Sequence, residues 1–366
     1  MFFILIFAKA KTKSMSKRTT IREIAEMAGV SPGTVYKILH NKGNVSNRSK
    51  AAVDKVLAAT GYVSDEYFSA TAKSCRLAVL APAFSIGDYW SRIYEGIREA
   101  VKQSGYPGVS VDYFFYNQFD IYSCLAAHRL LLEKKPDAVI IGPTFLEETV
   151  SLCASLDELS IPYALVDSIL EGAHPLAIYA TDQFSAGRVM AHLLTAVTKP
   201  GSKLAVFESK RSGARFSMNS MVRRDGFVDF LKSAGREKDL IEPCYTSTVP
   251  SENEEVIRHL LEQNKNLEGI AVLNARGSSI AEVLDNLGRT DVKLISFDMT
   301  MQNVEFLRKG SIFALLCQHP YWQGFEAAST LIRHQLQGKE PATALNLLSI
   351  DIVLKEIVDF YKDNGS

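Results

Sequence analysis

The chain has 366 residues, 47% hydrophobic and 22% charged, with 41 basic side chains balanced by 41 acidic ones. That length exceeds one small domain and points to two or three compact units, and the composition excludes a disordered or fibrous protein. The neutral total hides an asymmetry, because residues 17–64 hold eight Lys/Arg against three acids, a net +5, which leaves −5 for the remainder. A small basic module on a mildly acidic body calls for an anionic partner of that module alone.

Five cysteines (Cys75, Cys124, Cys153, Cys244, Cys317) are scattered, odd in number and never in CxxC spacing. They argue against a disulfide framework or a zinc site and fit a reducing, cytoplasmic setting. No metal or other cofactor is expected.

In chain order, MFFILIFA opens the sequence. It is apolar but too short to span a bilayer, and no basic residue precedes it, so neither a membrane anchor nor a signal peptide is expected. Residues 1–18 read as an extension without fixed structure, with Met15 the preferred start. Residues 19–63 read as three short helices. Thr20-Ile21-Arg22-Glu23 has the spacing of a capping box, and Ile21, Ile24, Ala25 and Ala28 give an apolar stripe that ends at Gly29. Ser31 is placed to cap a second helix burying Val35, Ile38 and Leu39. Ser46 is placed to cap a third burying Ala52, Val53, Val56 and Leu57. Helices this short are not stable alone, so they must pack as one unit.

Residues 64–75 (SDEYFSATAKSC) are polar and lack a strong period, and read as a linker. Beyond them the pattern alternates. Strand-like runs RLAVLAP, VDYFFY, AVIIGP, YALVDS, AIYATD, KLAVFES, GIAVLN, KLISFD and FALLCQ are mostly separated by amphipathic helical stretches. Such alternation predicts parallel sheets with helices on both faces. Nine strands exceed one such sheet, so two α/β lobes are expected in residues 76–366: the first from about 76–198 and 319–340, the second from about 199–318 and 341–366.

A helix, a tight turn at Gly29-Val30 and a second helix make helix-turn-helix geometry, whose second helix enters the DNA major groove. Its candidate reading residues are Pro32, Gly33, Tyr36 and Lys37. Lys37 is the donor suited to guanine O6 and N7, while Tyr36, Ser31 and Thr34 reach phosphates. Thr20, Asn41, Lys42 and Arg48 complete the candidate DNA contacts. Pro32 sits at the first helical position, where its missing N–H costs nothing. With Gly33 beside it, the reading head is sparse in side-chain donors.

The stretch TTIREIAEMAGVSPGTVYKILHNKGNVSNRSKAAVDKVLAATGY resembles the N-terminal domain of the LacI/GalR (lactose-repressor) family of bacterial transcription regulators. The pairing of AxxAGVSxxTV with VSxxxxxxVxxxxxxxGY carries the resemblance, which extends more loosely over residues 19–360. It implies an N-terminal all-α helix-turn-helix module on a two-lobed, periplasmic-binding-protein-like (type I) effector domain. It also implies a homodimer on a pseudo-palindromic double-stranded DNA operator, with affinity set by a small molecule between the lobes. After Gly61-Tyr62 the family carries a Pro-Asn-x-x-Ala-Arg-x-Leu hinge that wedges a leucine into the minor groove. Here Ser64, Asp65, Ser69 and Thr71 replace the proline, asparagine, arginine and leucine, with Tyr67 or Phe68 the substitute wedge if the segment inserts at all.

A ligand in a two-lobed α/β protein sits at the strand C-termini facing the cleft. There the sequence offers Asp88, Tyr89 and Trp90, with Trp90 either stacked on a sugar ring or packed as the first apolar residue of its helix. The resemblance places an effector-facing acid at Asp182, the effector-contacting arginine at Arg223 (Arg224 if the register slips by one), and a second acid at Asp298, also a candidate helix cap. Asn274 sits at a strand end where the family often continues with Asp, replaced here by Ala275-Arg276, and Gln318 lies at a crossover between lobes. An arginine flanked by aspartates and aromatics suits a sugar or sugar derivative, with a purine as the competing effector. None of the seven histidines falls in a catalytic motif, so a regulator rather than an enzyme is expected. The alternative is a solute sensor of the same fold with weak or lost DNA binding.

Overall fold

The computed structural model describes residues 20–39, 45–60, 74–209, 217–246 and 250–361. The N-terminal extension, Asn41, Lys42 and the linker with Tyr67 and Phe68 lie outside them. The chain divides into two compact units, the first built on the N-terminal helices and the second running from Ser74 onward.

In the first unit, helix α1 (Ile21–Ala28) opens with the expected box: the Thr20 hydroxyl accepts from the Glu23 N–H while the Glu23 carboxylate accepts from the Thr20 N–H. It stops at Gly29, whose φ of 64° lies in the left-handed region that glycine adopts without a Cβ penalty. Helix α2 (Pro32–Leu39) starts where Ser31 Oγ accepts from the Thr34 N–H at 3.1 Å. Helix α3 (Asn47–Thr60) starts where Ser46 Oγ accepts from the Ser49 N–H, also at 3.1 Å. Ile24, Ala25, Val35, Ile38, Leu39, Val53 and Leu57 form one buried core, so each helix is held by the other two.

The second unit contains two six-stranded sheets. The first consists of β1 (Cys75–Pro82), β2 (Val109–Tyr116), β3 (Ala138–Ile141), β4 (Tyr163–Asp167), β5 (Ala177–Thr181) and β11 (Leu345–Leu348), in the order β11-β5-β4-β3-β1-β2, all parallel. The second consists of β6 (Lys203–Ser209), β7 (Leu240–Thr246), β8 (Leu267–Val272), β9 (Lys293–Phe297), β10 (Ala314–Cys317) and β12 (Asp351–Val353), in the order β12-β10-β9-β8-β6-β7. Only β12 is antiparallel to its neighbour. All nine sequence-read strands occur. The three that were missed have weak local signals: β7 carries Pro243 and tolerates it as an edge strand, β11 spans four residues, and β12 spans three.

The helices are α4 (Tyr89–Ser104), α5 (Ile121–Lys134), α6 (Leu146–Glu158), α7 (Gln183–Val197), α8 (Met218–Ser233), α9 (Pro250–Gln263), α10 (Gly277–Asn286), α11 (Met301–Lys309) and α12 (Pro320–Gln337). The lobes are built alike and exchange a helix. Helix α12 follows β10 of the second sheet but lies against β3, β4 and β5 beside α4. Helix α7 follows β5 of the first sheet but lies against β8 and β9 beside α8. Each helix pair crosses at two glycines. A Cβ on Gly96 would stand 2.0 Å from the Tyr321 carbonyl oxygen, and one on Gly324 2.1 Å from that of Ile93. Gly187 and Gly226 face the Arg223 and Phe184 carbonyls at 1.8 and 2.0 Å in the same sense.

Two lobe boundaries read from the sequence are corrected. The first lobe does not run to residue 198, because Ala186, Met190, Ala191 and Leu194 of α7 bury themselves with Leu204, Val206, Ala271 and Ile295 of the second. The chain therefore crosses at Asp182. Residues 345–348 do not belong to the second lobe either, since β11 continues the first sheet beside β5. Among the described residues no helix is long and apolar enough to cross a membrane.

Candidate functional site

The first unit presents one polar helix face. Val35, Ile38 and Leu39 turn inward, leaving Ser31, Pro32, Gly33, Tyr36 and Lys37 exposed on α2, with Thr34 half-buried. A Cβ on Gly33 would meet no described atom nearer than Ser31 Oγ at 3.8 Å. Arg48 on α3 is exposed, as is Thr20 at its cap.

In the second unit, the C-terminal ends of β1, β2, β4, β6, β8, β9 and β10 converge on a cavity of about 470 Å³ between the sheets. Open α/β sheets place ligands there because the loops leaving the strand ends diverge and the helix N-termini point inward. Seven sequence-read residues line it: Asp88, Tyr89, Trp90, Arg223, Asn274, Asp298 and Gln318.

Asp182 does not. It caps α7, its carboxylate accepting from the Ser185 N–H at 3.0 Å and the Ser185 hydroxyl at 2.6 Å, and it is exposed. The acid that reaches the cavity is Asp167, at the end of β4. Asp167 is the last residue of β4 and Asp298 the first after β9, each strand third in its sheet's order, with φ of 73° and 66°. Left-handed backbone at a non-glycine residue costs energy and persists where surrounding contacts enforce it. Here it turns both carboxylates toward the same space. YALVDS is read as a strand; its terminal Asp167 is recognisable as a site residue only once β4 is aligned with β9.

The floor is a closed hydrogen-bonded network around buried Arg223. Its Nε donates to Gln183 Oε1, Nη1 to the Leu273 carbonyl and Nη2 to Gln318 Oε1, each at 2.7 Å. The guanidinium lies over the Phe297 ring, 3.8 Å from its centroid. Gln318 Nε2 donates to both Asp298 oxygens, at 3.0 and 3.1 Å. Asp167 accepts from the Tyr89 hydroxyl at 2.7 Å and from Asn219 Nδ2 at 2.9 Å, which joins the first lobe to α8 of the second. Burial pulls the Arg223 pKa below its ordinary value while Asp298 and Asp167 push it back; a guanidinium stays protonated under such opposition. Burial, reinforced by Asp167 and Asp298, holds the Tyr89 phenol well above its usual pKa, so it acts as a donor.

The structure also resolves the sequence's alternatives of placement. Arg224 points away from the cavity, pairing with Glu242 through two bonds of 2.6 and 2.7 Å. Asp298 is not a helix cap; Thr300 caps α11 by accepting from the Asn303 N–H. Trp90 lines the cavity and also packs on its own lobe, where a Cβ on Gly142 would lie 2.4 Å from the indole ring. Asp88 accepts from the Ser85 N–H at 2.8 Å, which fixes the loop before α4. Asn274 Oδ1 accepts from the Arg276 N–H at 2.9 Å. Gln118, Phe119, Asn219 and Arg276 are lining residues that sequence reading did not single out as ligand contacts. Among the described residues no cluster of His, Cys, Asp or Glu side chains is arranged to hold a metal ion.

Two family models match the chain: bacterial regulatory proteins of the lacI family over residues 20–65, and the periplasmic binding protein domain over residues 77–340. The chain is 27% identical over 186 residues to the HTH-type transcriptional regulator DegA of Bacillus subtilis, covering 49% of this chain and about half (52%) of that curated relative's length. A LacI transcriptional regulator from Bacteroides fragilis superposes with a TM-score of 0.75 at 27% identity, covering 79% of this chain and all of that one. A solute-binding protein of an ABC transporter from Agrobacterium vitis, solved with bound D-fucose, superposes with a TM-score of 0.69 at 21% identity, covering 78% and 97%.

Proposed function

Because the chain belongs to the LacI family of bacterial regulatory proteins, with a periplasmic-binding-protein domain as its body, we propose that it binds operator DNA under control of a sugar-like effector held in the cleft. The observation that carries this is the pairing, in one chain, of an exposed helix-turn-helix face with a cavity floored by Arg223 between Asp167 and Asp298. Carboxylates at such positions accept from vicinal hydroxyls, buried Arg223 and the neighbouring amides fix the geometry of the floor, and Trp90, Phe84 and Phe119 offer apolar surface to ring C–H groups. The D-fucose held by the Agrobacterium vitis neighbour supports the sugar reading over a purine.

Lys37 on α2 carries base discrimination, with Ser31, Thr34 and Tyr36 on phosphates. The active species is a homodimer in the cytoplasm, acting as a regulator and not as an enzyme. A face suited to self-association lies on α4 and the edge strand β2, where the rings of Tyr94, Tyr113 and Phe115 contact one another in series beside Phe84. Because β1 follows directly on the linker, the first lobe transmits closure of the cleft to the DNA-binding helices.

The test is an electrophoretic shift on genomic fragments, repeated with a library of sugars and nucleosides, alongside thermal melting of the full chain. A fragment that shifts, and whose shift responds to a sugar that also raises the melting temperature, is the expected result. Asp298→Asn should remove that melting response. A melting response that persists in Asp298→Asn, or that only nucleosides produce, overturns the sugar reading.

A further inference from the structure

Helix α12 is one of the two that cross between the lobes, and its first turn carries a glutamine with no solvent exposure, Gln323. The next residue fixes its place, because Gly324 meets the Ile93 carbonyl of α4 where a Cβ would stand only 2.1 Å away. A buried amide needs partners, and this one bridges two. Its Oε1 accepts from the Asp167 N–H at 2.8 Å, and its Nε2 donates to the Gln318 carbonyl at 2.9 Å.

Each partner leads to one of the aspartates of the floor. The Asp167 carbonyl accepts from Asn219 Nδ2 at 3.2 Å and from Gln183 Nε2 at 3.4 Å, so with Gln323 on its N–H the main chain is held on both sides. Its φ of 73° persists only under such contacts, and the direction of its carboxylate follows from it. On the other side, Gln318 Nε2 donates to both Asp298 oxygens, and the carbonyl held by Gln323 anchors the main chain from which that amide projects. Asp167 belongs to the first sheet and Asp298 follows β9 of the second. Gln323 is not among the lining residues of the cavity. A primary amide suits the task because it presents an acceptor and a donor on one rigid group.

We infer that Gln323 is a positioning residue of the effector cleft: from one buried side chain it sets the spacing and direction of Asp167 and Asp298, and so which hydroxyls of a sugar the two carboxylates accept from at once. This rests on the sugar reading of the same cleft and adds to it the source of stereochemical selectivity. Gln323 acts through Asp167 and Gln318, without touching the ligand.

The experiment is titration calorimetry on the full chain with four sugars. D-mannose and D-galactose each differ from D-glucose in the direction of one hydroxyl, and D-fucose is D-galactose without one. The parent should bind its best ligand about tenfold or more tightly than at least one of the others, the worth of one hydrogen bond to a charged group. Gln323→Met is close in volume and makes neither bond; Gln323→Asn is one methylene too short to span both partners. Whichever of them retains a cooperative melting transition should reduce that ratio to within about threefold. A loss of stability alone would weaken all four sugars alike. A variant that does so and keeps the ratio therefore overturns the assignment, as does a parent that binds all four equally, and both results leave the sugar reading standing. Binding of none of these sugars by the parent overturns both.

Discussion

Glu208, at the end of β6, shows how a side chain outside the cavity makes stability depend on pH. It is buried, Arg224 stands 3.7 Å away, and Glu242 and Asp225 add like charge. Burial raises its pKa from 4.5 to about 6, with Arg224 opposing and the two acids reinforcing. The folded state therefore holds this proton more tightly than the unfolded chain. The resulting stabilisation is complete below about pH 4.5 and is lost as pH rises through about 6, a change of about 2 kcal/mol at most. Glu208→Gln should flatten that part of the profile in urea unfolding measured between pH 4.5 and 7; identical profiles for variant and parent would contradict the assignment. Single residues were legible in the sequence where their role is local. Thr20, Ser31 and Ser46 announce caps because a cap needs only its own helix's first turn. Asp182 was misread for the same reason, since a strand-end acid looks alike whether it caps a helix or faces a ligand.

At the scale of elements, the two glycine crossings set how closely α4 meets α12 and α7 meets α8. Backbone carbonyls occupy the positions where side chains would start, so no rotamer change relieves an added methyl. Gly226→Ala is expected to destabilise the second unit by about 1–3 kcal/mol through forced separation of α7 and α8. It should also loosen the floor, because Arg223 sits on α8 and Gln183 on α7 and the two are bonded across that crossing. Chemical denaturation and effector affinity measured together check both effects; an unchanged midpoint would mean the helices part without cost. The alternation of strands and helices was readable from hydrophobic runs alone, and all nine runs became strands. The exchange of α7 and α12 was not, because an amphipathic helix shows which face is buried but not which sheet buries it.

For the whole molecule, positive charge is concentrated in residues 17–64, a net +5, so operator affinity is expected to fall steeply with salt. The proposed homodimer would bring two such modules to one operator, and the aromatic face of α4 and β2 is the candidate for joining them. Phe115 is 43% exposed on an edge strand, a position that in an isolated subunit leaves an aromatic ring in water. Phe115→Glu should convert the dimer to monomer in sedimentation, with a loss on the order of 2–3 kcal/mol, as expected for an aromatic anchor. Operator binding should weaken in the same variant while effector-induced melting shifts persist. A dimer that survives the substitution would place the interface elsewhere.

The sequence by itself determined the architecture: three capped helices, and strands alternating with helices in numbers that demand two sheets. It also determined the arginine of the floor and one of its aspartates. The helices and strands follow from local rules of capping and hydrophobic period, which neighbouring residues are enough to express, whereas Arg223 and Asp298 were reached through the family resemblance, with Arg224 left as the alternative. Only the tertiary structure decided the other aspartate, Asp167, the place of Arg276 over Phe119, and the exclusion of Asp182 and Arg224. Asp167 and Arg276 acquire their places from partners 50 or more positions away, Asn219 on Asp167 and Phe119 under Arg276. A cleft assembled from the ends of seven strands in two sheets has no local signature, because the contacts that define it exist only once both sheets have formed.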